Sequence, residues 1–166
     1  TCLVQERVEG VRCELRMICC RNRAQGPDAV ETEMVRMKLH APRHAELDAT
    51  FQLTSYETMT SEEAVELAFG GDAAALDAAE AEVRALTERW LQWFRERGLG
   101  EPHMCRFDFL VAGGGGGDGG PVDVRTVEIT ECGASLCGLA TATRTAAVLN
   151  ECLCDGGPWP GAKAAE

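Results

Sequence analysis

The side chains of this 166-residue chain that are best placed to do chemistry are two carboxylates, Asp108 and Glu128. Each lies in a short segment, 104–111 or 122–131, in which apolar and polar residues alternate as they do in a β-strand. Because successive side chains of a strand point to opposite faces, Asp108 shares the polar face of its strand with Arg106. We therefore expect Asp108 to lie outside the hydrophobic core.

The spacing of the two segments also predicts their pairing. If the glycine-rich stretch between them is a hairpin turn, the antiparallel register sets Asp108 opposite Glu128 and, two residues away, Arg106 opposite Thr130. Carboxylates this close repel unless one is protonated or a positive charge lies between them, and hard oxygen ligands suit Mg²⁺ or Mn²⁺. One interpretation is a divalent-metal site. The other is an exposed sheet face on which Arg106 and Arg125 neutralise the acids.

Further strands and helices must position these residues. Strand-like patterns occupy 2–8, 12–20, 34–40 and 51–56, and the first two form a predicted hairpin; 21–32 is predicted as a loop. A capping box, Thr60-x-x-Glu63, opens a helix through Phe69, and a third helix is predicted over 143–154. We expect an α+β domain over 1–155, an antiparallel sheet with helices packed on one face, and a flexible tail over 156–166.

The longest predicted helix covers residues 72–97, with Asp72 as its N-cap and Gly98 as its stop. Apolar residues recur at spacings of three or four along it, which predicts one buried face. They are Leu76, Ala79, Val83, Leu86, Trp90, Trp93 and Phe94. A tryptophan pair could stack on a ligand, but tryptophans on such a stripe are more often core residues, and we predict that role for both.

Composition limits the possible partners and compartments. The net charge is −11 and no long basic cluster occurs, so we expect no nucleic-acid partner. No apolar run approaches the ~20 residues that span a bilayer, so we expect a soluble chain without membrane insertion. Nine cysteines without a Cys-x-x-Cys motif favour core thiols in a reducing intracellular compartment, the cytoplasm or an organelle interior. Because the chain begins at Thr1, we also expect a missing upstream segment.

In their order along the chain, these pieces resemble the C-terminal lobe of the ATP-grasp ligases. The family pattern has a hinge strand ending in Gln/Glu-Glu, a strand bearing Glu and Arg, a long helix leading into Arg-x-Asp-Phe, and a closing strand with Glu-x-Asn. The matching motifs here are Gln5-Glu6, Glu14-x-Arg16, Arg106-Phe107-Asp108-Phe109 and Glu128-Ile129-Thr130. The resemblance covers roughly residues 2–135 and implies an ATP-grasp-like lobe.

The resemblance also implies a role for each matched residue. Gln5 and Glu6 would hold the adenine and Glu14 the ribose of ATP. Asp108 and Glu128 would bridge Mg²⁺ (or Mn²⁺) to the phosphates. Arg106 or Arg16 would face the phosphate or an acyl phosphate. The chain would then be the Mg-ATP-binding half of a ligase that activates a small-molecule carboxylate for attack by an amine or thiol.

Departures from the family pattern leave alternatives open. Thr130 stands where the family has a metal-binding asparagine, and Glu131 would replace it if the strand bulges. The upstream lobes that complete the nucleotide site are absent, so a partner protein or a missing lobe is expected. The chain is therefore either an ATP-dependent ligase half or a non-catalytic structural or assembly subunit. A third hypothesis, a redox or metal sensor using Cys19 and Cys20 with Cys132 and Cys137, requires exposed thiols of low pKa.

Overall fold

The computed structural model describes residues 8–21, 29–39, 57–99, 103–113 and 120–130. These ranges contain five strands and two helices. In chain order they are β1 (Val11–Arg21), β2 (Val30–Met37), β3 (Thr58–Met59), α1 (Ser61–Phe69), α2 (Ala73–Glu96), β4 (Met104–Gly113) and β5 (Val122–Thr130). The predicted strand 2–8, apart from Val8, lies outside the described residues, and so do the predicted strand 51–56, helix 143–154 and tail 156–166.

The five strands form one sheet in the order β3-β2-β1-β4-β5, with every neighbouring pair antiparallel. Both described helices pack against one face of this sheet, α2 across β1, β4 and β5. The strand side chains buried beneath them alternate along β1 and β4, and they are Cys13, Leu15, Met17, Cys19, Cys105, Phe107, Phe109 and Val111. The predicted α+β class, an antiparallel sheet with helices on one face, is confirmed.

The helix boundaries follow the capping residues. The Thr60 hydroxyl accepts from the Glu63 backbone N–H, and the Glu63 carboxylate accepts from the Thr60 N–H, which completes the predicted capping box. Gly70 ends α1 in the left-handed conformation at φ 61°. Asp72 caps α2 by accepting from the Ala75 N–H at 3.0 Å. Each of these sequence-based predictions is confirmed.

One predicted core residue of α2 lies at the surface. Trp93 is 40% exposed, with the Arg97 guanidinium 5.4 Å above its ring, so its assignment to the core is wrong. Trp90 is partly buried against the core, and the fully covered positions of this turn are Thr87 and Leu91. The buried stripe therefore passes on the other side of Trp90 from Trp93.

Two strand predictions also need correction. Strand β2 begins at Val30, inside the segment 21–32 that was predicted as a loop, and it ends at Met37. In β1, simple alternation places Arg12 on the same face as Glu14. A register shift between Val11 and Cys13 breaks the alternation, and the Arg12 Nη1 instead donates to the Ala68 carbonyl of α1 at 3.3 Å.

Gly113 ends β4 where the chain turns toward β5. Its φ is +65°, and a Cβ added there would lie 2.8 Å from the Pro121 carbonyl oxygen. We expect Gly113→Ala to lower the free energy of unfolding by about 1–3 kcal/mol, because the left-handed backbone and the close approach both disfavour a side chain. Gly120→Ala is the matched control, since nothing lies within 4 Å of its added Cβ. Equal urea midpoints for the two variants would contradict this prediction.

Candidate functional site

Five charged side chains from three neighbouring strands lie together on the sheet face opposite the helices, and we call them the charged row. They are Glu14 and Arg16 of β1, Arg106 and Asp108 of β4, and Glu128 of β5. The row crosses the neighbouring strands β1, β4 and β5 in that order. Each of its acidic side chains lies near an arginine of the same strand or of the adjacent strand. Alternation correctly predicts that Arg106 and Asp108 share one face of β4, but not that β1 lies beside them.

Asp108 is the residue on which the row converges. Arg106 binds it as a fork, with Nε to Oδ1 and Nη2 to Oδ2 both at 2.7 Å. Arg16, its register partner on β1, brings Nε within 4.0 Å of Oδ1. Both oxygens of Asp108 therefore accept charge-assisted hydrogen bonds from one arginine while a second arginine lies close by.

The two outer carboxylates each pair with one of these arginines. Arg16 Nε donates to Glu14 Oε1 at 2.5 Å. Arg106 Nη2 lies 3.8 Å from Glu128 Oε2, and Glu128 stands directly opposite Asp108 in the register. The predicted pairing of Asp108 with Glu128 is confirmed, and so is the pairing of Arg106 with Thr130.

The row is much less exposed than an ordinary sheet surface. Arg16 and Asp108 are each 4% exposed and Arg106 is 7% exposed, whereas the Glu128 side chain is 58% exposed. The alternative of an exposed face neutralised by arginines is correct about the Arg106–Asp108 pairing and wrong about exposure. Arg125 takes no part in it, because its Nε pairs with Asp123. Buried charges survive only when they are paired, which the fork achieves.

A β-bulge in β5 aims Glu128 at the row. Phe109 faces Thr126 and Asp108 faces Glu128, so Val127 is an extra residue between the two pairs. Thr126 lies on the helix face, where its Oγ1 accepts from Trp90 Nε1 at 3.2 Å. Without the bulge Glu128 would share that face, because residues two apart in a regular strand point the same way. The sequence carries no clear signal for this bulge.

Apolar side chains adjoin the charged row on the same face. They form a second buried cluster of Ile18, Cys20, Val35, Met37 and Met104. Val35 stands opposite Arg16 and Met37 opposite Glu14 in the β1–β2 register. The charged row thus occupies one part of this face and the apolar cluster another. The apolar cluster lowers the local dielectric constant, so the ion pairs of the row are stronger than they would be in water.

Among the described residues, this site offers a divalent metal ion two protein ligands, Asp108 and Glu128. No group of three or more His, Cys, Asp and Glu side chains among the described residues could hold a metal ion. Mg²⁺ in nucleotide sites is often held by one or two carboxylates with substrate phosphates supplying the rest, and Asp108 with Glu128 matches that pattern. The Arg106 fork uses one lone pair of each Asp108 oxygen, so a metal bound to Asp108 would lie close to the guanidinium charge.

The remaining predicted site residues divide between described and undescribed parts of the chain. Thr130, which replaces the expected asparagine, has a buried hydroxyl oxygen with no hydrogen-bond partner in the described structure. The predicted adenine residues Gln5 and Glu6, and the alternative ligand Glu131, lie outside the described residues. The bulge observed in β5 precedes Glu128, whereas the bulge that would bring Glu131 to the metal would have to follow Glu128.

The described cysteines are core residues. Cys13, Cys19, Cys20 and Cys105 are all buried, each at most 2% exposed. Burial raises the pKa of the Cys13 thiol to about 12, because desolvation disfavours the thiolate and outweighs the nearby Arg12. Cys19 and Cys20 therefore lack the exposure that the redox hypothesis requires, and Cys132 and Cys137 lie beyond the described ranges.

The raised pKa of Cys13 gives a pH dependence of stability. The unfolded thiol loses its proton near pH 9 and the folded thiol near pH 12, so the folded state binds more protons between these values. The free energy of unfolding should fall as pH rises through that window, and it should be unaffected by this group below it. Urea unfolding from pH 8 to 10.5 measures the slope. Cys13→Ala should flatten it, and an unchanged slope would contradict the assignment.

Comparisons with protein-family models, with curated proteins and with solved structures found no match to this chain. In the ranges that the structure describes, neither helix is long and apolar enough to span a bilayer. The charged row is therefore the feature from which a function is proposed.

Proposed function

We propose that the charged row is the metal-and-phosphate half of a Mg-ATP site in a carboxylate-activating ligase of the ATP-grasp type. Asp108 and Glu128 would hold Mg²⁺, and Arg16 and Arg106 would neutralise phosphate oxygens. Bound Mg-ATP supplies a phosphoryl group for the substrate carboxylate, with ADP leaving; an amine or thiol then displaces phosphate. The protein's part is to hold the reactants and balance their charge.

The observation that carries this proposal is the direct opposition of Asp108 and Glu128 on β4 and β5, with Arg106 contacting both. A buried row of alternating charge is a poor stabilising device, because desolvation offsets most of the attraction and apolar residues of similar volume often serve as well. The presence of this charged row beside the apolar cluster therefore supports a ligand-binding role. Glu14, next to Arg16, is placed to reach a second part of the same ligand.

One observation favours the second candidate, a non-catalytic structural or assembly subunit. The Arg106 fork satisfies both oxygens of Asp108 without any ligand, so the row is a complete ion-pair network as it stands. In that case the face would serve only to hold β1, β4 and β5 in register. The two candidates differ in whether a nucleotide stabilises the fold.

Thermal unfolding with and without Mg-ADP tests the proposed function. A ligand that binds only the folded state adds about 2.7 kcal/mol at a concentration roughly a hundredfold above its dissociation constant. We expect a higher unfolding midpoint for the chain with Mg-ADP, and no shift for Asp108→Asn or Glu128→Gln. Asp123→Asn, an exposed carboxylate of the same strand as Glu128, is the control and should shift like the wild type.

The proposal extends to partners and compartment. A nucleotide and a small-molecule carboxylate are the proposed ligands, and a partner chain or a further lobe would complete the site. The nine cysteines include no Cys-x-x-Cys motif and the four described ones are buried core residues, which supports a reducing compartment inside the cell. The net charge of −11 argues against a nucleic-acid partner.

A further inference from the structure

Arg106 occupies the position that a metal ion would need. Its Nε and Nη2 each bind one oxygen of Asp108 at 2.7 Å, and Nη2 is also 3.8 Å from Glu128. The guanidinium thus bridges the two carboxylates that face each other across β4 and β5. A cation between the same oxygens would meet this positive charge at close range, in a site where Asp108 is 4% exposed and screening by water is weak.

We infer that Arg106 is an internal counter-ion that makes metal binding conditional on an anionic ligand; this inference rests on the proposed function. With no ligand bound, the guanidinium takes the place of the metal on Asp108. A phosphate-bearing ligand offers Arg106 an alternative bidentate partner, because guanidinium geometry matches phosphate oxygens as well as carboxylate oxygens. Metal and phosphate therefore bind together, and the metal alone binds weakly.

This arrangement has a thermodynamic consequence that an ordinary carboxylate metal site lacks. Removing a carboxylate from a metal site weakens metal binding, whereas removing Arg106 should strengthen it, because the competing charge disappears and Asp108 is released. Arg16 remains 4.0 Å from Asp108 in either case, so part of the compensating charge stays in place. The gain should therefore come from the lost Arg106 charge, and the remaining Arg16 charge should limit its size.

The test is Mn²⁺ binding to the full chain, measured from the free-ion signal in electron paramagnetic resonance, without nucleotide. We expect Arg106→Gln to bind one Mn²⁺ per chain at least about tenfold more tightly than the wild type. Arg125→Gln is the matched control: it removes the same charge from the same sheet face and releases the exposed Asp123 carboxylate. Its Mn²⁺ affinity should equal that of the wild type.

A second variant tests whether the tighter Mn²⁺ binding depends on the proposed ligand Asp108. In Arg106→Gln/Asp108→Asn the gain should disappear, since the neutral amide is a poor ligand for a hard cation. If Arg106→Gln is poorly folded, Mn²⁺ should raise its thermal midpoint by more than it raises that of Arg125→Gln. A folded Arg106→Gln with wild-type Mn²⁺ affinity, or a poorly folded one without such a rise, would overturn the inference.

The outcome is separable from that of the proposed function. A wild-type chain that fails to bind Mg-ADP while Arg106→Gln gains Mn²⁺ would overturn the nucleotide site and support the counter-ion role. A wild-type chain that binds Mg-ADP while Arg106→Gln gains nothing would support the nucleotide site and overturn the counter-ion role. Adding ADP to the wild type should tighten Mn²⁺ binding, and Mn²⁺ should tighten ADP binding by the same factor.

Discussion

Replacing Arg106 with leucine should lower the free energy of unfolding by about 3 kcal/mol, because it leaves the Asp108 carboxylate buried without its fork. This is the low end of the range for breaking a buried ion pair, since Arg16 stays 4.0 Å from the same carboxylate. Urea unfolding monitored by tryptophan fluorescence measures the loss.

The double variant Arg106→Leu/Asp108→Leu measures the interaction between the two side chains apart from the cost of leaving one of them unpaired. Removing both charges should recover most of the lost stability, because apolar replacement of a complete buried pair is often neutral or stabilising. A double-mutant cycle with a coupling energy near zero would mean that the fork contributes no more than its separate side chains, and would contradict the account of the charged row.

The second large effect is expected at Phe107, at the centre of the helix face. Its side chain is fully buried between the sheet and α2, where its ring centroid lies 6.3 Å from that of Phe94. Phe107→Ala should destabilise the fold by about 3–5 kcal/mol, from lost burial and the cavity left behind. Guanidinium unfolding gives the value.

Leu67→Ala is the control for this large-to-small change. Leu67 lies on α1 and is 63% exposed, so its truncation should change stability by less than about 0.5 kcal/mol. Comparable losses for the two variants would show that the helix face is not the core that the structure describes.

The sequence predicted the helices and central strands well because their signals are local. Thr60-x-x-Glu63 and Asp72 cap α1 and α2 through contacts within one turn, and these contacts form as expected. Trp93 was assigned wrongly because periodicity gives a stripe but not its edges. Which side of Trp90 is buried depends on the angle at which α2 crosses the sheet, and that angle is set by distant residues.

The sequence predicted which residues of the site face each other across β4 and β5, but it did not predict how deeply they are buried. The predicted pairing of Asp108 with Glu128 is correct, but the strands reach it through the bulge: next to the turn Phe109 faces Thr126, and only the extra residue Val127 brings Glu128 opposite Asp108. The sequence does not reveal the bulge at Val127, which lies beside a long-range contact: Thr126 accepts a hydrogen bond from Trp90, 36 positions earlier in the chain. Alternation correctly placed Asp108 on the polar face of β4, outside the core under the helices. It did not predict that Asp108 is only 4% exposed there, because burial depends on what packs across the strand.

The most direct test of the central claim, that the charged row binds a magnesium nucleotide, is calorimetric titration of ATP and ADP into the chain with and without Mg²⁺. The account predicts one metal-dependent site per chain, lost in Asp108→Asn and Glu128→Gln and retained in Asp123→Asn. Binding that ignores Mg²⁺, or that survives Asp108→Asn, would contradict it. So would the absence of binding, and the row would then be a structural ion-pair network.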